Sequence, residues 1–137
     1  MTSVYADIES AIRTRLAANW SAAPIKYGNT PSPAVEPPFI YVEIRHTGSR
    51  QTSVGTGETN RRFRQTGLII IGIYVKKNDG TGLAAQYADT LCDIFRGKTF
   101  GGVVCSNCYP DGGRPADDQG NYWMKTLFCE FYSDALA

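Results

Sequence analysis

The sequence predicts an α+β domain, a mainly antiparallel sheet with two helices packed on one face. Three observations carry this: helical spacing of apolar residues near the start, a second helical stripe after Gly82, and alternating or doubly apolar runs between and after them. At 137 residues the chain fits one domain, residues 1–137, large enough to bury a core.

From Ser3 to about Ala18, Val4, Ile8, Ala11, Ile12 and Leu16 recur at three- and four-residue spacing, an amphipathic helix. Thr2 or Ser3 is placed to cap it. Glu9 stands four residues before Arg13, the favourable order for a helical ion pair, and Arg13 and Arg15 are expected near the helix end. "PIKYGNTPSPAVEPPFI" carries five prolines, which forbid a long helix, demote any strand here to an edge or an extended loop, and predict an ordered surface excursion. "FIYVEIRH", Phe39 to His46, alternates Ile40, Val42 and Ile44 against Tyr41, Glu43 and Arg45, a half-buried strand. Thr47 to Arg62 is polar, without period, and reads as a long loop.

"FRQTGLIIIGIYVKK", Phe63 to Lys77, reads as a central strand. Gly67 and Gly72 mark a bulge or a close backbone approach. Leu83, Tyr87, Leu91 and Phe95 then stand four apart, widened by Ala84, Ala88 and Ile94, and Gly97 stops the helix. "FGGVVCSNCYPDGG" predicts a short strand and a turn, and Tyr122 to Tyr132 a last strand. There Trp123, Leu127, Cys129 and Phe131 share one face while Tyr122, Met124, Phe128 and Tyr132 load the other. Two apolar faces point to a central place in the sheet or to burial against a partner chain.

Composition excludes several functions. Fourteen basic and thirteen acidic residues leave a net charge of +1, so no global field draws the chain to nucleic acid or an anionic membrane, and sequence-specific nucleic-acid binding is not expected. No apolar run has the length of a membrane span, and "MTSVYADIES" lacks the pattern of a signal peptide, so a cytoplasmic site of synthesis and assembly is expected.

Asp79-Gly80-Thr81-Gly82 after an apolar strand invites a phosphate-binding reading. The residues that follow, Leu-Ala-Ala-Gln, lack the lysine and hydroxyl of a P-loop and the third glycine of a dinucleotide site, so Thr81 is read as a helix cap. The four cysteines, Cys92, Cys105, Cys108 and Cys129, are read as reduced thiols. Cys105 and Cys108, read as small buried thiols and a cysteine pair of the turn, run into "YPDGG" and not into a helix, which argues against a thiol oxidoreductase; a zinc site would need both to meet Cys92 and Cys129 in space. His46 is read as a surface histidine without a nucleophile signature, and Asp111, Asp117 and Asp118 as turn residues. Neither a catalytic set, a metal site nor a cofactor is assigned. Arg61, Arg62 and Arg64, with Arg45 and Arg50 nearby, form the one local concentration of charge.

The order "VYADIESAIRTRL", "IKYGNTPSPAVEPPFIYVEI", "RRFRQTGLIIIGIYV", "GTGLAAQYADTLCDIFRGKTF" and "GNYWMKTLFCEFY" resembles the tail-terminator and tail-completion proteins of long-tailed bacteriophages over nearly the whole chain. The resemblance implies a structural virion protein of the tail and not an enzyme: a ring, usually of six subunits, that sits on the finished tail tube, stops its growth and meets the head connector. Its partners are then further copies of itself, the tail-tube protein and the head-connector protein. On this reading Arg50, Arg61, Arg62 and Arg64, and Tyr122, Met124, Phe128 and Tyr132 of the last strand, are the expected interface residues. The alternatives are another head–tail joining subunit, or a metal- or thiol-dependent domain using Cys105 and Cys108.

Overall fold

The computed structural model describes residues 4–27, 38–52, 62–76, 82–115 and 122–136. Along the chain run α1 (Val4–Asn19), β1 (Ile25–Tyr27), β2 (Phe39–Gln51), β3 (Arg62–Lys76), α2 (Gly82–Phe95), β4 (Thr99–Phe100), β5 (Val103–Pro110), β6 (Arg114–Pro115) and β7 (Tyr122–Leu136). The strands form one curled sheet in the order β1-β2-β3-β7-β5-β4, with β6 beside β7. The sheet is mixed: β1 joins β2 in parallel, whereas the other pairings are antiparallel.

Helix α1 buries Ile8, Ile12 and Leu16, as its spacing requires. Glu9 and Arg13 make the expected pair at 3.7 Å. The helix runs on to Asn19, so the arginines fall short of its last turn. Arg15 instead reaches across to α2, its Nε and Nη2 donating to the carbonyl of Ile94 at 3.2 and 3.1 Å. Helix α2 packs on β3, β5 and β7 through Ala84, Ala88, Leu91, Cys92, Ile94 and Phe95. Gly97 ends it with φ +68°, where a side chain would be strained. The expected capping residues Thr2, Ser3 and Thr81 lie outside the described residues.

Both helices share one core with the inward positions of the central strands, Ile69, Ile71 and Ile73 on β3 and Leu127, Cys129 and Phe131 on β7. Among the described residues two polar ones are buried, and both are paired: Gln65 accepts from the Tyr5 hydroxyl at 3.0 Å, and Ser133 donates to the Gly102 carbonyl at 2.8 Å.

The proline-rich segment holds β1, a three-residue strand at the edge of the sheet, the place that its prolines leave open to a strand; residues 28–37 lie outside the described set. Two expectations need correction. The loop expected from Thr47 is strand as far as Gln51, because β2 continues its ladder on β3 from Gly48↔Thr66 to Gln51↔Phe63. This extension is exposed throughout, so no apolar face announces it. Finally, Cys105 to Cys108 is no turn. It lies inside β5, whose pairing with β7 shifts register between these two residues, so that Cys105 and Cys108, three apart, both point inward.

Candidate functional site

Alternation dictates what the sheet presents on its other face. Across β2, β3 and β7 the register stacks Phe39, Tyr74 and Met124 in one row, and Glu43, Ile70 and Phe128 in another. Tyr109 of β5 extends the second row, opposite Phe128. These side chains cover one another: Phe39 and Tyr74 stack at 4.7 Å and 14°, and Tyr109 leans on Phe128 at 5.7 Å. The Tyr74 ring crosses Gly72, where a Cβ would stand 3.0 Å from it; the glycine flagged in the sequence is a close approach. Burial among these neighbours pushes the Tyr74 phenol above its ordinary pKa. No described helix covers this face, and Tyr41 and Tyr109 remain 39% and 50% exposed on it, far above a core aromatic such as Phe95 at 0%.

At one end of the face these rows give way to a row of charge. Arg50, Arg64 and Asp134 are register partners across β2, β3 and β7. Arg64 grips Asp134 with both arms, Nε to Oδ1 at 2.9 Å and Nη2 to Oδ2 at 3.1 Å, and its guanidinium lies 4.1 Å from the Tyr132 ring centre. The hydrogen bonds from Arg64 hold the Asp134 carboxyl below its usual pKa. Arg50 has no ion-pair partner among the described residues.

The structure therefore brings together Arg50, Arg64, Met124, Phe128 and Tyr132 on one face. Arg62 belongs to the same exposed end of β3, Arg61 lies outside the described residues, and nothing is described of the Tyr122 side chain. Arg45 is engaged by Glu43 at 3.3 Å. Sequence reasoning missed Tyr41, Ile70, Tyr74 and Tyr109, whose shared face depends on register; the one available signal was their alternation with core residues on their own strands.

Other candidates resolve differently. His46 is not a free surface residue: its Nε2 lies 3.3 Å from Glu9 Oε2, its ring meets Tyr5 edge-on at 4.6 Å, and it ties β2 to α1. Asp111 Oδ1 accepts from the backbone N–H of Gly113 and Thr126 at 3.0 and 2.9 Å, the turn role expected of it. Asp117 and Asp118 lie outside the described residues. The four cysteines do meet in the core, yet among the described residues no group of three or more His, Cys, Asp or Glu is arranged to hold a metal ion.

The family model of the phage tail terminator protein matches residues 7–126, most of the chain. The chain belongs to the phage tail terminator family. A terminator of this family is a structural tail protein, which fits a site built from aromatic side chains and ion pairs. Among curated proteins nothing matches. Among the solved structures that the terminator resembles is one with a TM-score of 0.64 and 17% identity, covering 99% of each chain, which shows a shared fold.

Proposed function

We propose that this terminator caps the finished end of the tail tube as a closed ring, stops further tube-subunit addition, and offers its other side to the head connector. The observation that supports this beyond family membership is the outer face of the sheet. It is paved by half-exposed aromatic and aliphatic side chains at its centre and edged by charge, the anatomy of an association surface. In a closed ring two different patches on each subunit must be complementary. The aromatic centre supplies one. Arg50, opposite Arg64 in register and lacking a described acidic partner, gives the edge a cation for a neighbour's carboxylate. Six subunits is the number that the family resemblance suggests.

Co-sedimentation with preformed tail tubes tests the reading. A cap binds ends, so shearing a fixed mass of tube into shorter pieces raises the amount bound in proportion to the number of ends. Binding that follows tube mass regardless of length would favour a coating or joining subunit.

A further inference from the structure

The core holds a chain of thiols that a structural cap does not require. Cys92 of α2 points its Sγ at Cys108 Sγ of β5, 2.9 Å away and inside van der Waals contact. Cys129 of β7 is the register partner of Cys108 and neighbours Cys105 as well. All four are free thiols and at most 3% exposed.

Two geometries exclude two uses. Thiolates sharing a tetrahedral zinc ion stand about 3.8 Å apart, given Zn–S bonds of about 2.3 Å, and the Cys92–Cys108 separation is much shorter. Cys108 and Cys129 are directly opposed on antiparallel strands. Opposed Cβ atoms there stand about 4.5–5.5 Å apart, whereas a disulfide wants about 3.8 Å. Cys92 approaches from a helix and carries no such constraint.

We propose that Cys92 and Cys108 are an oxidisable pair that closes to a disulfide, stapling α2 to β5, when a peroxide small enough to enter the core reaches them. Cys108 is the sulfur that reacts first. The Cys129 thiol stands opposite it, Cys92 donates to its sulfur, and Arg96 lies beside it, donating Nη2 to the Cys108 carbonyl at 2.6 Å; together these hold its thiol below the ordinary pKa. Burial pushes the Cys92 thiol the other way. The Cys108 thiolate attacks one oxygen of hydrogen peroxide; the S–O bond forms, the O–O bond breaks, and hydroxide leaves and takes the proton that Cys108 gave up. Cys92 sulfur then attacks Cys108 sulfur: the S–S bond forms, the S–O bond breaks, and the departing oxygen takes the Cys92 proton as water. Two thiols and one peroxide become one disulfide and two waters. A staple closed outside the reducing cell would harden an extracellular particle, a consequence that rests on the terminator reading; the bond itself does not.

The test uses the isolated wild-type protein, so its failure is separate from any failure to cap tubes. After treatment with hydrogen peroxide and quenching, the protein is unfolded, alkylated and mapped by mass spectrometry. The expected result is two alkylated cysteines, Cys105 and Cys129, a peptide pair linked through Cys92 and Cys108, and a melting temperature about 5–10 °C higher than the reduced form. Cys92→Ala abolishes the link and the shift, and Cys105→Ala leaves both. A link through Cys129, four free thiols, sulfinic acid at Cys108, or loss of the native far-UV dichroism on oxidation would each overturn the proposal.

Discussion

Gly67 of β3 lies flat against Phe131 of β7: a Cβ at this glycine would stand 2.5 Å from the ring's Cζ and equally close to the Arg45 carbonyl. The two residues are register partners, and β2 shifts register beside them, between His46 and Gly48. The bulge and the ring together leave room for hydrogen alone. Gly67→Ala is therefore expected to cost about 2–3 kcal/mol, read as a lower urea midpoint at unchanged slope. A loss under about 0.5 kcal/mol would show that strand and ring relax easily.

Arg15 joins the two helices through a single acceptor, the Ile94 carbonyl near the end of α2. Removing the guanidinium leaves that carbonyl without its charged donors. Arg15→Met should destabilise by about 1–2 kcal/mol, and Arg15→Lys should recover only part, because an ammonium cannot reproduce the fork. Thermal unfolding of the three proteins checks this.

The Arg64–Asp134 pair makes stability depend on acid. The folded carboxyl titrates below its ordinary value of 3.8 because Arg64 bonds the ionised form. A depressed acid contributes stability above the unfolded pKa and loses it as pH falls through the folded pKa. Asp134→Asn should thus melt slightly below wild type near neutrality, and the gap should close as pH drops under about 4. Both groups are solvated, so salt should narrow the gap too. A gap that widens in acid would contradict the assigned pairing.

Among the described residues Tyr41 and Tyr109 are the most exposed large hydrophobic side chains on the outer sheet face, so charge there should spare the fold while spoiling association. Tyr41→Glu and Tyr109→Glu are each expected to change stability by under about 0.5 kcal/mol. Each should nonetheless reduce end binding to tail tubes severalfold, measured by co-sedimentation. Retained binding in both variants would move the association surface elsewhere.

Much of this architecture is legible in the chain because burial on one side leaves a period. Ile8, Ile12 and Leu16 announce α1, and Ile40, Val42 and Ile44 announce the buried half of β2. Where neither face is buried the signal vanishes: Thr47 to Gln51 is strand only because β3 supplies its backbone partners. Cys105 and Cys108 misled for a different reason, since a register shift lets residues three apart face one way. Of the outer face, Met124, Phe128 and Tyr132 were readable because β7 carries apolar residues on both sides. Ile70, Tyr74, Tyr41 and Tyr109 were not, because no single strand shows which neighbours its outward residues will meet.

The central claim is that this terminator ends tube growth. Negative-stain microscopy of tail-tube subunits polymerising with and without the protein measures it directly. The account predicts tubes that stop lengthening on addition and carry extra density at one end. Tubes that keep growing, with neither end altered, would contradict it.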